Sequence, residues 1–277
     1  MISDVSHEFA EAIRGADHDV DLFGGAMLIA RLGGHHVDPH RAASRLDLIA
    51  ETVRDYAGEA AGADALAHAI DYQLFTIAGF HGNTGNYNDP ENSYLDRVID
   101  RKTGLPITLS LVYMEIAQRV GLRCDGVGFP GHFIVRCGEP EAGIFVDPFE
   151  QGARLDREEL LARLRSIDIG AASPESFLSA VTRRQILQRM LNNLHGLFRA
   201  RRDMERWHAT TNLLLQLEPW NAPLTGERGM LSYRLGNPAA ALDDLERYVE
   251  ATGRPRVSAG ALRLLDELRL QQGGREE

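Results

Sequence analysis

Apolar positions recur at helical spacing through most of the first 80 residues. From Asp21 to Leu32 they share one side, and Gly33 and Gly34 end the stretch. A second helix is expected from Pro39 to Tyr56, with Leu46, Ile49 and Val53 on one face, and a third from an N-cap at Asp64 to Ile77. Residues 81–92, HGNTGNYNDPEN, are mostly turn-forming types and read as a loop. A further helix begins near Ser93, a good capping residue, and stops before Gly104. The next opens at Pro106, whose missing N–H costs nothing in a first turn. It turns Leu109, Val112, Tyr113, Ile116 and Val120 toward a core and closes at Gly121. Beyond Leu122 the pattern shifts to short β-branched and aromatic runs, DGVGFPGHFIVRC and GIFVDPF. Split by Gly and Pro, these read as two or three antiparallel strands. Residues 155–166 form one more helix.

From about Arg183 the chain is helical and repeats itself. Shifted by 34 residues, Leu197 falls on Leu231, Asp203 on Asn237 and Trp207 on Ala241, the period of a tetratricopeptide helix–turn–helix unit. Two such units and a capping helix fit residues 184–272, with Gly229, Ala240 and Ala241 at close helix contacts. The polar linker at 168–176 divides the chain into a front domain, 1–176, and a repeat domain, 177–277. The expected class is α+β: a helical N-terminal region, a core with a small antiparallel sheet, then all-α repeats.

Composition narrows the function. Apolar residues make up 44% and charged residues 25%, enough for a sizeable core, and the formal net charge is −10. With no Lys/Arg-rich block, neither nucleic acid nor a membrane is expected as a partner. No apolar run approaches the ~18 residues that span a bilayer, and the first residues lack the layout of a signal peptide. Cys124 and Cys137 form no CxxC pair, and they read as buried free thiols in a reducing cytoplasm. His35, His36 and His40 cluster in a turn without a closed ligand set and read as surface histidines. No metal and no cofactor are expected.

Three features could carry chemistry: the loop with Asn83, Asn86, Tyr87, Asn92 and Ser93, the helix opening at Gly104-Leu105-Pro106, and the strands holding His132 and Asp147. A glycine turn, a helix, then His and Asp on successive strands is the layout of a Cys–His–Asp hydrolase. The helix dipole there lowers the pKa of a thiol nucleophile, and the Asp holds the imidazole tautomer. Each residue also has a plainer reading. His132 serves as a hydrogen-bonded strand-start histidine, Asp147 as its anchor or a turn cap, the Asn-rich loop as a turn scaffold, and Asn92 as a neighbour of the cap Ser93.

The segments NYNDPENSYLDRVIDRKTGLPITLSLVYMEIAQRVGL, GVGFPGHFIVR and FVDPFEQG resemble the bacterial SirB-type family, in which a transglutaminase-like (papain-like) domain precedes tetratricopeptide repeats. The resemblance covers nearly the whole chain. In true transglutaminases Gly-x-Cys opens the core helix, one helix length before a Gly. Here Gly104 and Gly121 match, His132 and Asp147 match, and Pro106 stands where the Cys would be. Thr108 and Ser110 lie nearby, but a hydroxyl is a much weaker nucleophile than a thiolate. The resemblance therefore implies no confident catalytic residue. His132 and Asp147 remain as a residual dyad, and Asn92, Ser93, Pro106, Thr108, Ser110, Tyr113, His132 and Asp147 are the ligand-binding candidates. The expected function is a non-catalytic, cytoplasmic module that binds a protein or peptide through its repeats and its cleft. Two alternatives stand beside it: an active hydrolase or acyltransferase using His132 and Asp147 with an unusual nucleophile, and a front half that only scaffolds the repeats.

Overall fold

The structure is a computed structural model that describes residues 2–58, 61–140, 142–168, 170 and 172–273. Two compact units divide the chain, one of residues 12–190 and one of residues 1–11 with 191–277. In chain order the first elements are α1 (Ile2–Ala12), α2 (Leu22–Ala30), α3 (Pro39–Ala57) and α4 (Ala63–Asp71). Asp21 caps α2 by accepting from the Gly24 amide, and Asp38 caps α3 by accepting from the Arg41 amide with Pro39 in the first turn. Contrary to the sequence expectation, Asp64 does not cap α4. The cap position is Gly62, and Asp64 sits within the first turn, where its charge still favours the helix start. A π-helical turn, Tyr72–Ile77, continues α4 with a widened bore.

The segment expected as a loop holds β1 (His81–Gly82), which pairs in parallel with β2 (Thr103–Gly104) on the far side of α5 (Leu95–Arg101). Ser93 is not the cap of α5. It ends a 3-10 turn, Pro90–Ser93, that Asp89 caps, and Tyr94 takes the cap position of the helix. α6 (Pro106–Arg119) is the centre of this unit. Leu109, Val112, Tyr113 and Ile116 are wholly buried, and most of its other residues are buried too. A helix apolar on nearly all sides has to lie inside its domain.

Against α6 lies an antiparallel sheet of β3 (Cys124–Val127), β4 (Ile134–Cys137), β5 (Ile144–Asp147) and β6 (Ala153–Leu155), in that order. β6 is one strand more than expected, because three residues with two exposed side chains carry no alternation to read. α7 (Arg157–Arg165), capped by Asp156, buries Leu160, Leu161 and Leu164 against Val127, Ile134 and Phe145 of the sheet. Each buried leucine contributes about 1.5–3 kcal/mol. The expected linker at 168–176 includes residues 169 and 171, which lie outside the described residues. Pro174–Leu178, which overlaps its end, forms a 3-10 turn.

Two sequence expectations are corrected here. Cys124 and Cys137 are not free thiols but a disulfide. They face each other across β3 and β4 with Cα atoms 4.1 Å apart. The neighbouring Arg123–Gly138 pair carries the backbone hydrogen bond, so the cysteines occupy the non-hydrogen-bonded position, where opposed side chains come closest. Strand register, invisible without the fold, decides the pairing. Nor is His35 a surface histidine. The chain folds back after Gly33 and Gly34, so the His35 ring packs 5.6 Å from that of Tyr94 and its Nε2 lies 2.7 Å from Asp96 Oδ2. Its side chain keeps 16% exposure, whereas His36 and His40 are exposed.

The other unit holds the repeats. α8 (Arg183–Arg201) contributes to it from Leu191 onward, followed by α9 (Met204–Leu217), α10 (Ala222–Arg234), α11 (Pro238–Thr252) and α12 (Ala259–Gly273). Asp203 caps α9 and Asn237 caps α11, one 34-residue period apart, and Asn221 caps α10. A Cβ on Gly229 would meet Asp244 Cβ at 3.0 Å and the Ala241 carbonyl at 3.2 Å, so α10 and α11 touch through small residues. Arg228 of α10 grips the buried Asp244 of α11 with two 2.8 Å bonds and reaches Asn212 of α9 with a third. Ala241, Leu245, Val257, Ala261, Leu265 and Leu268 form the core between α11 and α12.

Among the described residues no helix is long and apolar enough to cross a membrane. No group of three or more His, Cys, Asp or Glu side chains among them is placed to hold a metal ion.

Candidate functional site

The site grows from the turn between β3 and β4, GFPGHF. Gly131 takes φ +70°, a conformation that L side chains rarely adopt, and lets the His132 amide bond back to the Phe129 carbonyl at 3.0 Å. Arg189 of α8 clamps this turn. One guanidinium nitrogen donates to the carbonyls of Phe129 (3.0 Å) and His132 (2.6 Å), and the group lies 5.6 Å above the Phe133 ring. Burial holds the pKa of Arg189 below the usual arginine value. Phe133 in turn fills the space over Gly126, where a Cβ would come within 2.7 Å of its ring.

So fixed, His132 places Nε2 2.6 Å from Asp147 Oδ2 at the end of β5. The other oxygen of Asp147 accepts from the amides of Phe149 (3.0 Å) and Glu150 (3.3 Å), so the carboxylate is held on both sides. The Asp147 side chain keeps 7% exposure and that of His132 27%. With the carboxylate accepting at Nε2, the neutral ring carries its proton there and its lone pair on Nδ1. Phe149 meets the His132 ring edge-on at 6.0 Å and Tyr87 at 6.2 Å. It rests directly on Gly82, where a Cβ would strike its ring at 2.6 Å.

The start of α6 is built as tightly. Pro106 occupies its first turn and is buried. Thr108 accepts from the Leu105 amide at 2.9 Å and donates to the Asn92 carbonyl at 2.8 Å. Gly104 leaves room for that hydroxyl, since a Cβ there would approach it to 2.7 Å. Asn92, wholly buried, donates to the carbonyls of Asn86 (2.8 Å) and Tyr87 (3.2 Å) and accepts from Asn83 at 2.9 Å, shaping the loop that carries Tyr87. Ser93 is buried beside it, and Ser110, also buried, donates to the Phe133 carbonyl at 3.4 Å. Tyr113 donates to Asp71 Oδ1 at 3.0 Å, and Arg154 of β6 reaches the other oxygen at 2.7 Å. Burial raises the Asp71 carboxyl to about 6, against the lowering pull of Arg154 and Tyr113.

His132 and Asp147 are thus brought together, while Asn92, Thr108 and Ser110 are buried and hydrogen-bonded near the start of α6, Ser93 is buried beside Asn92, and Tyr113 is buried further along the helix against Asp71. Sequence reasoning missed Phe149, Arg189 and the Asp71–Arg154 pair. Phe149 was within reach, since Asp-Pro-Phe puts an aromatic residue two positions beyond the anchoring carboxylate. Arg189 had no signal, being one of several arginines on an amphipathic helix. Chemically, the geometry offers a base at Nδ1, with neither a thiol nor a solvent-facing hydroxyl at the helix start.

Residues 40–192 match a family described as the transglutaminase-like superfamily, and residues 194–266 match the tetratricopeptide repeat. A UPF0162 protein of Xylella fastidiosa (strain Temecula1) is 34% identical over 239 residues, covering 84% of this chain and 85% of its own. A UPF0162 protein of Pseudomonas aeruginosa is 31% identical over 242 residues, with 84% and 86% covered. F-box only protein 21 of Homo sapiens is 32% identical over 137 residues, which are 47% of this chain and 21% of that protein.

Proposed function

We propose, for a chain that belongs to the UPF0162 family and joins a transglutaminase-like domain to tetratricopeptide repeats, a non-catalytic role: it binds a protein or peptide partner and acts as a regulatory module. One observation carries this reading. The position that a thiol nucleophile would occupy at the start of α6 holds Pro106, a side chain with no proton to give and no lone pair to attack with, while the nearest hydroxyls, Thr108 and Ser110, are buried and bonded to backbone. The SirB-type assignment belongs to the same reading, as does a cytoplasmic location.

A second reading is favoured by the dyad. His132 is oriented by Asp147 as a general base is oriented, and the base could act on water in place of a side-chain nucleophile. One experiment separates the two. Purified wild-type protein is incubated with a glutamine-containing peptide, with and without an amine donor, and both amine incorporation and glutamine deamidation are followed by mass spectrometry. The non-catalytic reading expects neither product. Turnover that disappears in His132→Ala would establish the second reading in its place.

A further inference from the structure

The repeats contain a groove of about 280 Å³, walled by Arg199 of α8, Trp207 of α9, Glu227, Met230 and Arg234 of α10, and Tyr248 of α11. That volume falls just below the ~300–1,000 Å³ of small-molecule pockets and suits side chains of an extended segment better than a cofactor. Its shape is constructed. Gly226 brings the Tyr248 ring against the backbone of α10, where a Cβ would come within 2.4 Å of the ring.

Charge distinguishes the groove from the chain as a whole. The net charge of the chain is −10, yet two arginines face a single carboxylate here. That carboxylate is already engaged: Glu227 accepts from Trp207 Nε1 and lies 2.8 Å from His195 Nε2. Arg199 lies 5.9 Å from the Trp207 ring centroid. Neither Arg199 nor Arg234 is within ion-pair distance of a carboxylate among the described residues, although the charge of Arg199 still acts on Glu227, and both are exposed. Resting on the reading of the repeats as a peptide-binding region, we infer that this groove takes an extended acidic segment, with two carboxylates set on Arg199 and Arg234 and an apolar side chain between them on Trp207, Met230 and Tyr248. Exposed arginines outside any close ion pair, beside half-buried aromatic rings, are the anchors such segments use.

The test uses the full chain and a positional-scanning library of hexapeptides, acetylated and amidated so that only side chains carry charge. Wild type is expected to select Asp or Glu at two positions flanking an apolar one. The best peptide, labelled with fluorescein, should bind about fivefold more weakly to Arg199→Glu and to Arg234→Glu, with binding that falls as salt rises. Library selection on Arg234→Glu should switch one acidic preference to Lys or Arg, a result that damage to the fold cannot produce. Selection of apolar peptides without regard to charge would overturn the acidic class and leave the peptide-binding reading standing. Failure to retain any peptide would overturn both for this groove.

Discussion

His132 meets Asp147 through Nε2 at 2.6 Å, which leaves Nδ1 as the ring nitrogen for which the described residues provide no hydrogen-bond partner. The anchoring is one-sided: carboxylate, backbone amides and the Arg189 clamp all act on the turn and on Nε2. In the reading proposed above, the component without a counterpart here is a thiol nucleophile at the start of α6, where Pro106 stands.

Supplying it tests the alignment. Pro106→Cys should fold, since residues other than proline are accepted in a first helical turn, with a loss of about 1 kcal/mol from the freer unfolded chain. Its thiol should react with iodoacetamide at least tenfold faster than a free cysteine at pH 7, through the helix dipole and His132, and His132→Ala should remove most of that gain. Because Pro106 is buried, the comparison that decides is between the two variants: equal rates with and without His132 would show that Pro106 does not face the dyad.

Thr108 fastens the start of α6 to the loop before it. Thr108→Val keeps its shape but strands the Leu105 amide and the Asn92 carbonyl, which should cost about 1–3 kcal/mol in urea unfolding. Thr108→Ser should recover most of it. Equal stability of the valine variant would mean that water replaces both bonds.

The half-buried carboxyl of Asp71 should make stability depend on pH. Its folded pKa is about 6 against an ordinary 3.8, so the folded state holds the proton more tightly. The contribution is fully present below about pH 4 and is lost as pH rises through 6, by up to ~3 kcal/mol. Chemical unfolding from pH 4 to 7 should show this decline in wild type and lose it in Asp71→Asn. The same slope in both proteins would assign it to another group.

The Cys124–Cys137 bridge predicts that protein unfolded without reductant titrates no free thiol, and that reduction lowers stability by about 3 kcal/mol for a loop of this length. It also bears on location. A cytoplasmic protein meets a reducing thiol pool, so alkylation trapping from intact cells should report the dithiol form if the chain resides there. A bridge found fully formed in cells would count against that location.

How much of this could be read beforehand depended on the range of the interaction. α6 was legible because Pro106, Gly121 and the spacing of its apolar residues are local signals, and the capped repeats were legible because Asp203 and Asn237 recur with the period. Pairings across the sheet were not. The disulfide depends on the β3–β4 register, β6 is too short to show a pattern, and His35 is covered only because the chain turns back onto α5. The dyad was legible because the order of helix and strands and the family resemblance pointed the same way, although His132 and Asp147 each also had a plainer role. Arg189 reaches the turn from a helix far along the chain, and no local pattern marks it.

The disulfide has one more consequence. It ties the two ends of the hairpin whose tip carries His132, so residues 124–137 form a closed covalent ring. A protease that nicks the exposed tip at Gly131 would open the ring without parting the chain. The product would migrate as an intact polypeptide until a reductant is added and would then fall into two fragments, one ending and the other beginning within the turn that carries the imidazole.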